Sequence, residues 1–406
     1  MTAFDSTGLH SDTLAVRQAV PRSQFGEHSE ALYLSSSFVQ PDAATAARRF
    51  AGEEEGYTYT RTANPTVTSF EQRLAAMERT QAAIATASGM SAILLMCLAL
   101  LKAGDHVVCS QSMFGSTMKL IGGELARFGV QSSFVPQTDV AAWRAAVRPE
   151  TRLLFAETPT NPLTELCDIR ALADIAHEAG VLLAVDNCFA SPALQRPAEM
   201  GADLVIHSGT KFLDGQGRVM AGAVCGPHAL IDEKLAPLIR SAGMNLSPFN
   251  AWVMLKGLET LSLRVRQQTL SAAAIADAVK VQKGVAEFAL GIAFFRFQKG
   301  GGVVRKVVIV GGKLMCQHPA AVDPLPNEEV VGKDVGLVPA KFLGDEPVHA
   351  AALQKLGQVA GKTEAVGQPQ HPGSLAELTF EEALSIHELA DNRFCGNEVG
   401  VKFHPG

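Results

Sequence analysis

The sequence has no apolar run near the roughly 20 residues that a membrane-spanning helix needs, so no membrane partner is expected. It has no excess of positive charge: 35 Lys and Arg stand against 41 Asp and Glu, for a formal charge of -6. That balance argues against nucleic acid or an anionic lipid surface as the main partner. The seven cysteines, at 97, 109, 167, 188, 225, 316 and 395, include no CxxC pair. A zinc site and a disulfide framework are therefore set aside, and reduced thiols are expected. The opening MTAFDSTGLHSD lacks a basic stretch followed by an apolar one, so no secretory leader is expected and a cytoplasmic location is. What is present is a globular composition. The 406 residues are 47% apolar and 19% charged, enough for two or three domains with a substantial core.

Residues 1–60 are polar and irregular, apart from ALYLSSSFV at 31–39. In TVTSFEQRLAAMERT, the spacing of Phe70, Leu74 and Met77 places them on one helical face. From about residue 83, short apolar segments alternate with helix-like ones. Strands are predicted at DHVVCS (105–110), SSFVP (132–136), RLLFAE (152–157), VLLAVD (181–186), DLVIHS (203–208) and AGAVC (221–225). Helices are predicted at SAILLMCLALLKAG, AAWRAAVR and DIRALADIAHEAG. Continuous apolar strands separated by helices indicate an α/β fold, a mostly parallel central sheet with helices on both faces. Such sheets bind ligands beyond the carboxyl ends of their strands.

The character of the chain changes near residue 266. Up to that point there are 17 Arg and 5 Lys; residues 267–406 hold 3 Arg and 10 Lys. All three tyrosines precede residue 60 and both tryptophans precede 253. Within 267–406, no long amphipathic helix is expected before LTFEEALSIHELAD. Three segments are therefore expected: an N-terminal arm over 1–60, a large domain over 61–266, and an atypical region over 267–406. A replaced domain or a disturbed reading frame would each produce so abrupt a shift.

Polar groups gather at the predicted strand ends. RLLFAE leads to Glu157, Thr158, Thr160 and Asn161; VLLAVD ends at Asp186 and Asn187; DLVIHS leads to Ser208, Thr210 and Lys211. ATASGM (85–90) sits just before an apolar helix. Each has an ordinary reading alone: Ser88-Gly89 as a helix cap, Asp186 as a turn cap, Lys211 as a solvated loop residue. A lysine directly after a buried strand is nonetheless costly to desolvate. Together these residues suit a ligand with a phosphate, a pyridine nitrogen and an aldehyde. N–H groups of Gly89 and Met90 at a helix N-terminus, with the hydroxyls of Ser208 and Thr210, suit the phosphate. Asp186 suits a protonated ring nitrogen, Asn161 the ring's phenolic oxygen, and Phe114 the ring face. Lys211 suits Schiff-base formation with the aldehyde, the pairing used by enzymes dependent on pyridoxal 5'-phosphate (PLP). Cys109 and Cys188 read as packed small residues, His207 as a core histidine, and Asp214 and Arg218 as turn-shaping residues.

The segments YTYTRTANPT (57–66), TASGMSAI (86–93), QSMFGST (111–117), ETPTNP (157–162), VDNCFASPALQRP (185–197) and HSGTKFLDGQGR (207–218) resemble the Cys/Met metabolism family of PLP-dependent enzymes. FGST, LDGQGRV and LSPFNAWVMLKGLETLSLR (246–264) point to its sulfhydrylase branch, which acts on O-succinylhomoserine. The resemblance runs from about residue 12 to 266. It implies a fold like that of aspartate aminotransferase (fold type I) and γ-replacement of succinate by sulfide to give homocysteine in methionine biosynthesis. It assigns Lys211 to the Schiff base, Asp186 to the pyridine nitrogen, and Gly89, Met90, Ser208 and Thr210 to the phosphate, with Ser88 beside them. It also implies that Tyr59 and Arg61 reach the phosphate of a neighbouring subunit's cofactor, hence a homo-oligomer, commonly a tetramer. Phe114 replaces a frequent tyrosine, leaving proton transfer to Lys211. The family's substrate-carboxylate arginine has no recognisable counterpart here, since Arg296, Arg305 and Arg393 lie in unfamiliar contexts. Two alternatives stay open: a cystathionine γ-synthase or γ-lyase, or a PLP-binding protein inactivated by an abnormal C-terminal region.

Overall fold

A computed structural model describes residues 8–161 and 163–280 and, beyond them, only the strands at 287–290, 296–298, 306–310 and 313–317. The chain divides into two compact units, residues 1–265 and 266–406. LTFEEALSIHELAD, Arg305 and Arg393 lie outside the described residues.

The first unit is built on a seven-stranded sheet. Its strands are β1 (Ala82–Thr86), β2 (His106–Ser110), β3 (Gln131–Val135), β4 (Thr151–Glu157), β5 (Leu182–Asp186), β6 (Leu204–Ser208) and β7 (Gly222–Gly226), in the order β1-β7-β6-β5-β4-β2-β3. The run from β6 to β3 is parallel, as the apolar strands predict. β7 runs opposite to both its neighbours, β1 and β6. No helix separates β6 from β7 in the chain, and a parallel return usually crosses over through one. β1 escapes the sequence reading because Ala82–Thr86 offers a single large apolar residue, Ile84.

Both faces of the sheet are covered. Along β4, Leu153 and Phe155 pack on one face, with Leu95, Met96 and Ile121. Leu154 and Ala156 pack on the other, with Trp143, Leu172 and Ile175. This alternation explains why every position of such a strand is apolar.

The helices start where local chemistry dictates. Pro65–Glu78 begins with Asn64, whose side chain accepts from the Thr66 N–H at 2.9 Å, followed by Pro65 with its preset φ. Its buried face includes Phe70, Leu74 and Met77, as the spacing predicts. Ile169–Glu178 is capped by Asp168, which accepts from the Ala171 N–H at 3.1 Å. Leu261–Lys280 is a departure, since it extends well past 267. Its SAAAIADA run forms helix through the high propensity of alanine, without an amphipathic pattern.

The second unit contains a four-stranded sheet of β8 (Glu287–Leu290), β9 (Arg296–Gln298), β10 (Lys306–Val310) and β11 (Lys313–Gln317), ordered β11-β10-β8-β9.

Candidate active site

Three adjacent parallel strands end in polar residues: β4 at Glu157, β5 at Asp186 and β6 at Ser208. Glu157 and Asp186 are direct partners across the β4–β5 ladder. Beyond these ends lies a cavity of about 110 Å³, walled by Gly89, Met90, Ile93, Phe114, Thr117, Glu157, Asn161, Asp186, Cys188, Phe189, Ser208 and Lys211.

The helix Gly89–Leu100 points its first turn at this cavity. Ser88 caps it, its Oγ accepting from the Ser91 N–H at 3.1 Å. The first N–H groups of a helix have no partner within it, which makes this end attractive to an anion. Gly89 permits the approach: a Cβ there would lie 2.6 Å from Ser208 Cβ. Ser208 Oγ is in turn 2.7 Å from Thr210 Oγ1, so two hydroxyls meet the helix end. Gly222 serves the same convergence, since its Cβ would stand 2.1 Å from the Ser88 carbonyl oxygen.

Lys211 sits in a compact turn after β6. Its N–H donates to Ser208 O at 3.2 Å, and Gly215 N–H donates to Lys211 O at 2.9 Å. Phe212 and Leu213 turn into the core and anchor the segment. Arg264 holds it from outside, donating through Nη1 to Phe212 O at 2.9 Å and through Nη2 to Leu213 O at 3.3 Å. The Lys211 residue is exposed rather than desolvated, because the turn carries it clear of the strand. Asp214 and Arg218 close the turn as expected: Asp214 Oδ1 accepts from Arg218 Nε at 2.8 Å, and Oδ2 from the Arg218 N–H at 2.6 Å.

Asp186 is buried, and its Oδ1 accepts from the Cys188 N–H at 3.0 Å. Burial raises its carboxyl above the ordinary range, opposed by the Cys188 bonds and by the charges of His207 and Lys211. A cation placed against it would relieve that penalty. Burial also pushes Glu157 up to about 8, with the neighbouring Asp186 charge adding to the rise. A helix end with two hydroxyls, a buried carboxylate and an amine around one cavity form a donor set that fits PLP.

The cavity brings together Gly89, Met90, Phe114, Asn161, Asp186, Ser208 and Lys211 from the predicted set. Ser88 and Thr210 are outside its lining and act on residues that form it. Tyr59 and Arg61 are also outside it. They stand together on an exposed surface, with the Arg61 guanidinium 5.4 Å from the Tyr59 ring centroid and Arg61 Nη1 donating to Arg240 O.

Five wall residues, Ile93, Thr117, Glu157, Cys188 and Phe189, are not among those assigned to the site from sequence. Cys188, read as a packed residue, lines the cavity and accepts from the Ser208 N–H at 2.8 Å. Glu157 was noted at its strand end without a role; the signal available was a carboxylate one strand away from Asp186. Burial raises the Cys188 and Cys109 thiols well above their ordinary values. His207 is the buried histidine expected, its Nε2 2.6 Å from Glu78 Oε1.

Residues 12–289 match the family described as Cys/Met metabolism PLP-dependent enzyme, which carries the likeness past residue 266. The chain is 53% identical over 281 residues to an O-succinylhomoserine sulfhydrylase of Pseudomonas aeruginosa, covering 69% of this chain and 70% of that one. It is 46% identical over 270 residues to an O-succinylhomoserine sulfhydrylase of Mycobacterium tuberculosis, covering 66% of each. The fold is similar, with a TM-score of 0.66 and 27% identity, to a crystal structure of a putative O-acetylhomoserine (thiol)-lyase from Campylobacter jejuni. That likeness covers 69% of this chain and 78% of the other, which carries an N'-pyridoxyl-lysine-5'-monophosphate.

Proposed function

Because the chain belongs to the Cys/Met metabolism family of PLP-dependent enzymes, we propose that it replaces the succinyl group of O-succinylhomoserine with sulfide, releasing homocysteine. The observation that carries the reading is the position of Lys211 and Asp186 on one cavity beside a helix N-terminus and two hydroxyls. The choice of substrates rests on the sulfhydrylase relatives.

When bound, PLP supplies an aldehyde that captures amines and a protonated ring that draws electrons from the Cα–H bond. The residues of this chain supply the rest. Gly89 and Met90 N–H groups, with Ser208 and Thr210, hold the phosphate, and Ser88 fixes that helix end. Asp186 keeps the ring nitrogen protonated. Asn161 bonds the phenolic oxygen and Phe114 covers the ring face. Lys211 Nζ would hold the cofactor aldehyde and, when free, would take the substrate's Cα proton and move the protons that replacement of succinate by sulfide at Cγ requires. Phe114 has no acidic proton, so this relay falls on Lys211.

Tyr59 and Arg61 are assigned to the phosphate of a neighbouring subunit's cofactor, within a homo-oligomer of dimers that forms a tetramer. Their position outside the lining of the chain's own cavity, paired on an exposed surface, supports this. A cytoplasmic location is part of this reading; separately, among the described residues no helix is long and apolar enough to cross a membrane.

Incubation of the PLP-supplemented protein with O-succinylhomoserine and sulfide tests the reading. Homocysteine and succinate should form in equal amounts, faster than cystathionine forms when cysteine replaces sulfide. Release of neither product, or production of cystathionine alone, would overturn it.

A further inference from the structure

Glu157 is buried, 3% exposed, at the end of β4 and beside Asp186 in the ladder. Both its carboxyl oxygens are engaged. Oε2 accepts from the backbone N–H of Phe114 at 2.6 Å, and Oε1 accepts from the backbone N–H of Asn161 at 2.9 Å. The donors belong to two separate loops, one after β2 and one after β4. These loops carry the two side chains assigned to the face and the oxygen of the cofactor ring. The strand end is fixed in turn, since Gln137 Nε2 donates to Glu157 O at 2.8 Å. A buried carboxyl beside another is costly, and packing alone would favour an apolar side chain here.

We propose that Glu157 is a positioning residue, whose one carboxyl group ties the Phe114 loop and Asn161 together and so sets the seat of the cofactor ring. The inference rests on the PLP-dependent reading and adds a residue to it. The groups facing this carboxyl are Asp186 on β5, the Cys188 thiol just after β5, and Lys211 after β6. Burial and the Asp186 charge push the Glu157 carboxyl up to about 8, against the two backbone N–H bonds that it accepts.

Two substitutions separate reach from acceptor number. Glu157→Gln keeps length but offers one acceptor oxygen, so its NH2 group meets one of the two N–H donors. Glu157→Asp keeps both oxygens but is one methylene short. Each should weaken PLP binding about tenfold or more, the loss expected from a buried donor left unpaired. In the cofactor-free variants, amide hydrogen exchange at Phe114 or Asn161 should speed by a similar factor, while Val108 in β2 keeps its protection. In the wild-type chain both amides should exchange much more slowly than exposed loop amides, a result that needs no variant to fold. Unprotected Phe114 and Asn161 amides in the wild type would overturn the proposal. So would wild-type PLP affinity and exchange in both variants. None of these readings uses turnover. A wild type that binds PLP without forming homocysteine sinks the sulfhydrylase reading and leaves this one standing, whereas a wild type that cannot bind PLP sinks both.

Discussion

At the residue scale, Lys211 and Asp186 divide one task. In the proposed reaction the lysine would hold and move protons, and the carboxylate would keep the ring able to accept electrons. Lys211→Ala should abolish the visible absorbance of the PLP-loaded protein and lower turnover by about 10²–10⁴-fold, the range of a lost proton-transfer group. Retention of both would contradict its role. Asp186→Asn should cut kcat strongly while leaving the KM for sulfide little changed, because sulfide does not meet this side chain; steady-state kinetics with varied sulfide checks that split. The meeting of Lys211 and Asp186 at one cavity was legible in the sequence because Asp186 ends one apolar strand and Lys211 lies in the turn just past its neighbour. Glu157 was less so. Its role depends on two backbone N–H groups, and backbone donors leave no mark in residue identity. Cys188 is buried, as a packed residue should be, but residue identity does not show that its sulfur accepts from a strand end 20 residues away in the chain.

At the element scale, the site depends on how closely a helix can meet a strand. Gly89→Ala would place a Cβ 2.6 Å from Ser208 Cβ, with the strand backbone at 3.0 Å and unable to yield cheaply. Overpacking of this kind costs about 1–3 kcal/mol. Denaturant titration should show that loss, and PLP affinity should fall with it. Unchanged stability and affinity would mean the helix end does not press on β6. A second joint ties the N-terminal arm to the body of the unit. Buried Arg73, in the helix Pro65–Glu78, pairs with Glu30, whose Oε2 also accepts from Lys256 Nζ at 2.7 Å. Burial alone would raise the Glu30 carboxyl, but the Lys256 bond and the Arg73 charge bring it down to about 2. Glu30→Gln removes the nearer counter-ion of the buried Arg73 guanidinium, leaving Glu259 Oε1 at 3.9 Å, and should cost about 3–5 kcal/mol, read by the same titration. Six of the seven strands of this sheet were readable as apolar runs, whereas this joint was not, because its partners lie 43 and 226 residues apart.

At the scale of the whole molecule, buried carboxyls give stability a definite pH dependence. Desolvation pushes Glu71 up to about 8, against the bond its Oε1 accepts from the Ala85 N–H at 2.8 Å. Glu157 rises to about 8 as well. Between the ordinary 4.5 and about 8 the folded chain therefore binds more protons than the unfolded one. Their contribution is full below 4.5 and is lost as pH rises through about 8. Glu30 works in the opposite sense, its contribution being present above 4.5 and lost as pH falls toward 2. The cofactor-free protein should thus weaken from mildly acid to mildly alkaline pH, and Glu71→Gln should flatten that slope when unfolding is followed across the window. An unchanged slope would remove Glu71 from the balance. The doubly covered sheet and the strand-end site were both legible, because parallel strands buried on two faces leave an unbroken apolar signature. The reversed β7 was not, since strand direction depends on the connection, here without a helix, rather than on the strand's own residues. The composition change near residue 266 coincides with the boundary between the two compact units.

The central claim is that Lys211 is the residue that holds the cofactor. Borohydride reduction of the PLP-loaded protein, followed by proteolysis and mass mapping, measures this directly. The expected result is a single pyridoxyl modification on Lys211, in the peptide containing HSGTK; a modification on another lysine, or none, would contradict it.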